Sequence, residues 1–183
     1  MRISIIVLLA LVVASAAYAK DPGPDWKPGV HVNGNRVGGE TIETATVIGS
    51  LPFNDADNSC MYADDYDEVC PYTGSMAGDA VYAYTPMCDG LVNITLCNGS
   101  DYDTKLFVYQ DMHTPGAPYA CNDDECPGYV SELMNLQLAL GHTYYICIDG
   151  WSSDCGNYII DMWGDEASGN ESQTWGGIKA LFE

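Results

Sequence analysis

The chain has 183 residues, the size of one domain with short appendages. Its 26 acidic and 6 basic residues give a formal net charge of −20 at pH 7, so it lacks the cations that bind nucleic acid or anionic lipid. Apolar residues make up 47% of the chain and aromatic residues 11%, more than an acidic disordered segment carries. The composition therefore predicts a folded acidic protein that does not bind nucleic acid.

The N-terminus has the pattern of a secretory signal peptide. Arg2 supplies a positive charge, residues 3–13 are an apolar run interrupted only by Ser4, and Ala17-Tyr18-Ala19 is an A-x-A cleavage motif. The run is shorter than the ~20 apolar residues that span a bilayer, and no second run follows. We expect cleavage after Ala19, no membrane span in the mature chain, and a location outside the cell or on its surface.

The sequence divides into four predicted segments. They are a signal peptide at 1–19, a linker rich in Pro, Gly and Asn at 20–39, a β domain at 40–164, and a polar linker with a short tail at 165–183. In the tail, Trp175, Ile178 and Phe182 fall on one side of a short helix. The tail either docks on the domain and covers apolar surface or acts as a recognition tag for export or attachment.

Period-2 alternation of apolar residues indicates β-strands within the domain. A turn at 40–45 precedes a first strand at 47–53, and a long acidic loop is expected at 54–78. Further strands are predicted around residues 81–84, 92–96, 106–108, 136–138, 143–149 and 157–163. This pattern predicts an all-β fold, a jelly-roll-like β-sandwich of about eight strands with disulfides and a short C-terminal helical tail.

An even number of cysteines in an exported protein predicts disulfides. The eight candidates are Cys60, Cys70, Cys88, Cys97, Cys121, Cys126, Cys147 and Cys155. A zinc site is disfavoured because the chain has no C-x2-C pair and its three histidines are scattered.

Short spacings favour three cysteine pairs. These are Cys60 with Cys70, Cys121 with Cys126, and Cys147 with Cys155. Cys88 with Cys97 then remains by elimination, and a bond from Cys97 to the 121/126 loop competes with it.

Acidic clusters are the most unusual chemical feature of the sequence. Crowded carboxylates repel one another unless a cation lies among them, and Ca²⁺ takes six to eight oxygen ligands from flexible loops. We predict calcium ligands at Asp103, Asn122, Asp123 and Asp124, with Asp101 as a weaker candidate. The alternative is a solvated acidic rim whose Asp and Asn side chains make turns. Residues 55–68 form a second cluster, for which solvation is the favoured interpretation.

Hydrolytic motifs are not found in the sequence. There is no H-E-x-x-H helix and no G-x-S-x-G elbow, and His31, His113 and His142 are interpreted as surface histidines. Trp151 lies in a turn that favours exposure, and exposed aromatic side chains on β-sandwiches commonly bind sugars or peptides. We predict a protein that is not an enzyme, with a hydrolase using an unrecognised carboxylate or metal site as the alternative.

A series of motifs together resembles the bacterial pre-peptidase C-terminal domain, over about residues 39–164. The motifs are Gly39-Glu40-Thr41-Ile42-Glu43-Thr44-Ala45, Leu51-Pro52-Phe53, Asp79-Ala80-Val81-Tyr82, Tyr102-Asp103-Thr104-Lys105-Leu106, Cys121-Asn122-Asp123-Asp124, Ser131-Glu132-Leu133, Gly141-His142-Thr143-Tyr144 and Gly156-Asn157-Tyr158. Cys88 and Cys147 are additions to the usual pattern of this family.

The resemblance implies a non-catalytic jelly-roll domain of the kind found beside secreted peptidases and other exported bacterial enzymes. Relatives of this family include calcium-stabilised, collagen-binding modules of bacterial collagenases. We therefore expect a secreted monomer that serves as a binding or accessory module for an extracellular polysaccharide, protein or surface. A structural component of the cell surface, or an adhesion component, is a further alternative.

Overall fold

Two β-sheets packed face to face form the part of the chain that the computed structural model describes, residues 36–70 and 75–164. The predicted signal peptide, residues 20–35 of the predicted linker and the predicted tail lie outside the described residues. No helix in the described ranges has the length and apolar character needed to cross a lipid bilayer.

Nine strands and two short 3-10 helices make up the described elements. The strands are β1 Thr46–Ile48, β2 Phe53–Asn58, β3 Ala80–Tyr84, β4 Gly90–Thr95, β5 Thr104–Gln110, β6 Ala120–Asn122, β7 Glu132–Leu138, β8 Tyr144–Gly150 and β9 Asn157–Gly164. The 3-10 helices are Ile42–Thr44, within the predicted turn, and Ser59–Met61.

The strand order is that of a jelly roll. The five-stranded sheet has the order β1-β3-β8-β5-β6, and the four-stranded sheet has the order β2-β9-β4-β7. β1 pairs in parallel with β3, and all other neighbouring strands are antiparallel. Strands β2 to β9 follow the order of the two Greek keys that make up a jelly roll. The predicted jelly-roll-like β-sandwich is confirmed.

Alternating side chains build the core between the two sheets. On β8, Tyr144, Ile146 and Ile148 point into this core, where they are at most 1% exposed. The residues between them, Tyr145 and Cys147, point to the outer face of the five-stranded sheet. Burial of one face of each sheet therefore fixes the register of the strands.

The predicted first strand, 47–53, is wrong as a single element. A cis peptide bond at Leu51-Pro52 separates β1, on the five-stranded sheet, from β2, on the four-stranded sheet. β2 also takes the start of the predicted acidic loop, because Phe53 and Asp55 lie opposite core residues of β9. Because Asp55 occupies an inward-facing position, β2 lacks the alternation of apolar residues by which a strand is recognised in the sequence.

The rest of the acidic loop covers the outer face of the five-stranded sheet. We call residues 62–70 and 75–78 the acidic cover. Its Tyr66 is 6% exposed and packs with Val81, Phe107 and Cys147 of the sheet. Cys70 joins the cover to β6 through a disulfide with Cys121. One outer face of the sandwich is therefore buried, an arrangement more typical of a core than of a solvated loop.

The predicted disulfide pairs are wrong, except for the competing bond from Cys97 to the 121/126 loop. The structure pairs Cys60 with Cys155, Cys70 with Cys121, and Cys97 with Cys126. Cys121 and Cys126 cannot pair because Cys121 packs on the outer face while Cys126 packs against the core between the sheets.

Long-range strand pairing also explains the other two corrections. The Ser59 amide donates to the Gly156 carbonyl oxygen at 2.9 Å, and the Ser59 hydroxyl accepts from the Gly156 amide at 3.1 Å, which brings Cys60 beside Cys155. Cys147 lies in the middle of β8 with 0% exposure and takes part in no disulfide, and Cys88 belongs to none of the three bridges. The expectation that all eight cysteines are oxidised is therefore wrong. Three disulfides nevertheless fit a protein that folds in an oxidising compartment.

We expect peptide mapping of the native protein to recover the three bridges and the Cys147 thiol. Burial raises the pKa of the Cys147 thiol, so this thiol should react with an alkylating reagent only after denaturation. Recovery of a Cys121–Cys126 peptide would contradict the structure.

Replacing Cys70 and Cys121 together by Ala should lower the free energy of unfolding by about 2–4 kcal/mol, measured by chemical denaturation.

Candidate metal centre

Two neighbouring strands bring three carboxylates to the same end of the five-stranded sheet. Asp103 comes directly before β5, and Asp123 and Asp124 come directly after β6. β5 and β6 are antiparallel, with Leu106 opposite Asn122, so the start of one strand lies beside the end of the other. Carboxylate oxygens of the three Asp residues all lie within 4.8 Å of one another.

Asp123 is the buried member of this cluster. Its side chain is 3% exposed, and its Oδ1 has no hydrogen-bond partner among the described residues. Burial, followed by the charges of Asp124 and Asp103, raises the pKa of Asp123 to about 6, while Lys105 opposes the shift. Asp123 is therefore largely ionised at pH 7 even though it is buried.

The other two members face water to different degrees. Asp103 is half-buried and Asp124 is exposed. Burial, then Asp124 and Asp154, raises the pKa of Asp103. A buried oxygen thus lies beside two carboxylates that water reaches, so a cation can approach the cluster from solvent.

Hydrogen bonds hold the Asp123 segment against its neighbours. Ser131 Oγ lies 2.7 Å from the Asp123 carbonyl oxygen and 2.6 Å from the Thr104 carbonyl oxygen. The Ser131 amide donates to Thr104 Oγ1 at 2.8 Å, and the Glu132 amide donates to Asn122 Oδ1 at 3.0 Å.

Two disulfides hold the same segment from opposite sides. Cys121 bonds Cys70 of the acidic cover, and Cys126 bonds Cys97 beyond β4. The carboxylates are therefore positioned before any ligand binds, so binding would cost less ordering entropy.

The structure brings together three of the five predicted ligands. Asn122 Oδ1 is already used by the Glu132 amide. Asp101 points to β9, where its two carboxylate oxygens accept from the Asn157 amide and side chain, both at 2.8 Å. Asp101 fixes the start of β9 and lies outside the carboxylate cluster.

Sequence reasoning missed Asp154, whose charge acts on Asp103. The turn after β8 reaches the site because the Trp151 amide donates to the Asp103 carbonyl oxygen at 2.9 Å. Trp151 is half-buried in this turn, so the exposure predicted for it is wrong. The sequence does contain a signal for Asp154, because it predicts the turn between β8 and β9. That turn lies at the edge of the sheet where β5 begins.

The second acidic cluster does not gather into one site. Asp57 Oδ2 accepts from the Val37 amide and from the Tyr62 hydroxyl, both at 2.5 Å. Asp55 is 7% exposed and Glu68 is 0% exposed, so solvation is wrong for these two residues.

The two described histidines lie in different surroundings. His142 is partly exposed, and its Nδ1 lies 2.6 Å from Asp111 Oδ2. His113 packs between the rings of Tyr66 and Tyr109, 30% exposed.

The donor set of the cluster fits a hard cation. Ca²⁺ prefers carboxylate and carbonyl oxygens in adaptable loops, and the cluster supplies carboxylates on two adjoining loops. A second group, Cys97, Cys126 and Glu132, does not suit a soft metal because its two sulfurs form a disulfide.

The fold was compared with those of solved structures. The pre-peptidase C-terminal domain of a collagenase from Bacillus anthracis matches with a TM-score of 0.46 and 14% identity, over 64% of this chain and 92% of that domain. No family model and no curated protein matches the chain by sequence. The similar domain bears the name of the family that the sequence motifs resemble.

Proposed function

We propose that the protein is a secreted, non-catalytic binding module whose loops are held in place by Ca²⁺ at Asp103, Asp123 and Asp124. The observation that carries the calcium site is the unpartnered Oδ1 of Asp123, which is buried among carboxylates. An ionised carboxylate that is 3% exposed and lacks a hydrogen bond on one oxygen is costly to bury without a cation.

The alternative of a solvated acidic rim is disfavoured at this cluster. Solvation satisfies Asp124, which is exposed, but it cannot satisfy the buried oxygen of Asp123. A proton would neutralise Asp123 only below a pH of about 6. At neutral pH a bound cation is therefore the better partner, and the formal charge of −20 favours cation binding over the whole molecule.

The outer face of the four-stranded sheet is the surface we propose for the polymer ligand. On β9, Ile160 and Met162 point into the core, so Asp161 and Trp163 point outward. Two amide side chains, of Asn54 and Asn98, donate to the Asp161 carboxylate at 2.5 Å. Hydrogen-bonding side chains beside an indole suit an extracellular polysaccharide or an extended protein segment.

Two rival functions remain testable. A hydrolase would turn over members of a panel of peptide and glycan substrates with the purified protein. A structural component of the cell surface would self-associate at millimolar calcium, whereas the proposed module stays monomeric in light scattering.

Calcium should stabilise the protein. With a Kd of about 10⁻⁴ to 10⁻³ M, as in extracellular modules, about 10 mM Ca²⁺ should add about 1.4–2.7 kcal/mol to the free energy of unfolding. The double replacement Asp123→Ala and Asp124→Ala should abolish this increment in thermal denaturation. Asp101→Asn is the matched control and should keep it, since Asp101 lies outside the cluster. A melting temperature that chelation leaves unchanged rules out the calcium site.

The calcium effect should grow with pH. The pKa of Asp123 is higher in the folded protein than in the unfolded chain. Protonated Asp123 therefore stabilises the calcium-free protein at low pH, and this stabilisation is lost as pH rises through about 6. Calcium binds the ionised carboxylate and replaces the lost contribution. The increment should therefore be smaller at about pH 5 than at about pH 7. An increment that is equal at both values would contradict this assignment.

Binding should locate on the outer face of the four-stranded sheet. Labelled protein applied to an array of glycans and matrix proteins should bind at least one polymer, and Trp163→Ala should weaken that binding by at least tenfold, about 1.4 kcal/mol. The matched control is Trp151→Ala, which alters an indole in the turn after β8. Binding lost equally in both variants would place the ligand elsewhere.

A further inference from the structure

A row of buried ionisable side chains crosses the five-stranded sheet beneath the acidic cover. Lys105 of β5 lies opposite Asp149 of β8. On the other side of β8, Ala80 lies opposite Ile148, and the same register places Asp79 opposite Asp149. All three ionisable side chains have 0% exposure.

Asp79 and Asp149 each have one satisfied and one unsatisfied oxygen. Asp79 Oδ2 accepts from the amides of Asp65 and Tyr66, both at 2.8 Å. Asp149 Oδ1 accepts from the Ser75 hydroxyl at 2.7 Å and the Gly150 amide at 2.6 Å. Asp79 Oδ1 and Asp149 Oδ2 are buried and have no hydrogen-bond partner.

Lys105 cannot balance both carboxyl groups. Its Nζ donates to the Glu68 carbonyl oxygen at 2.9 Å, and it lies next to Asp149 while Asp79 lies on the far side. Like charges directly opposite on adjacent strands are destabilising, and burial increases the cost of an uncompensated charge.

Both carboxyl groups are displaced toward the protonated form. Burial is the largest cause that raises the pKa of Asp79, followed by the charge of Asp149, while the Tyr66 and Asp65 amides oppose it. Burial also raises the pKa of Asp149, against the Ser75 and Gly150 hydrogen bonds and Lys105. A protonated carboxyl needs an acceptor, and a second carboxylate opposite it supplies one.

We propose that Asp79 and Asp149 hold one proton between them at neutral pH, donated from Asp79 Oδ1 to Asp149 Oδ2, and that this proton keeps the acidic cover closed on the sheet. The shared proton satisfies both unpartnered oxygens and removes one of two facing negative charges. Asp79 accepts hydrogen bonds from amides of the cover, and Asp149 accepts one from the Ser75 hydroxyl of the cover. Repulsion between two ionised carboxylates would therefore weaken the contacts that hold the cover on the sheet.

The surroundings of the pair are themselves mostly acidic. The ionisable groups coupled to it from neighbouring elements are Asp64 of the acidic cover, Lys105 and Tyr109 of β5, Cys147 of β8, and Tyr102. Asp65 and Tyr66 act on Asp79 through their backbone amides, and the charge of Glu68 acts on Cys147. Lys105 is the only cation in this set, so no neighbouring positive charge takes the place of the proton.

The sign of the pH dependence follows from the raised pKa. The unfolded carboxyls lose their protons near pH 4, whereas the folded pair keeps one, so the proton stabilises the fold fully at low pH and less as pH rises. In the presence of chelator, the folding equilibrium constant of the wild-type protein should fall by up to about tenfold per pH unit until the pair ionises.

Asp79→Asn tests the shared proton because its amide copies the protonated carboxyl. The variant should match the wild type at about pH 3, below the pKa of the unfolded carboxyls, be the more stable protein at about pH 9, and lack this part of the pH slope in thermal denaturation. Asp65→Asn is the matched control: it removes a charge from an exposed residue of the same cover and should keep the wild-type slope.

Infrared spectroscopy gives the direct measurement. The folded wild type at pH 7 should show the C=O stretch of a protonated carboxyl, and Asp79→Asn should lose it. The proposal is wrong if the wild type lacks that band, or if the slope persists in Asp79→Asn. It is also wrong if millimolar Ca²⁺ or Mg²⁺ removes the band from the Asp123→Ala, Asp124→Ala double variant, because the pair then binds a metal cation.

Discussion

Charge balance beneath the acidic cover depends on Lys105, the one buried cation among the described residues. Lys105 pairs with Asp149 on β8. On its other side, the pairing of Leu106 with Asn122 places Lys105 opposite Asp123, just beyond β6. Lys105 lowers the pKa of both carboxyl groups. One ammonium group thus serves two acidic sites, so each site still needs a further partner.

The buried acids meet this shortage in different ways. Glu68 is satisfied by neutral donors, because its carboxylate accepts from the Tyr109 hydroxyl at 2.6 Å and from the Gly116 amide at 2.8 Å. Asp123 lies beside the exposed Asp124 at the edge of the sheet, where a metal cation can reach the cluster. Asp79 lies beneath the cover with 0% exposure, where a proton is the smaller partner. Access from solvent therefore separates the two proposals, although both begin from an unsatisfied carboxylate oxygen.

The sequence predicts the strands that obey alternation and misses those that do not. β8 and β9 are clear because apolar residues such as Ile146 and Ile160 recur at every second position. β2 is hidden because the inward position 55 holds an acid, and β6 has only three residues. The Asp103, Asp123 and Asp124 cluster is accessible to sequence reasoning because both of its segments flank predicted or motif-marked strands. The facing of Asp79 and Asp149, like the disulfide pairs, depends on long-range register, which local spacing does not specify.

The disulfide pattern has a consequence for how the chain responds to proteolysis. Val69, in the acidic cover, is 62% exposed, so a protease can reach the backbone there. A single cut beside it leaves one product bonded through Cys60 to Cys155, and Cys70 and Cys121 stay joined whichever product carries Cys70. The two products therefore remain one covalent molecule, and their separation requires reduction as well as cleavage.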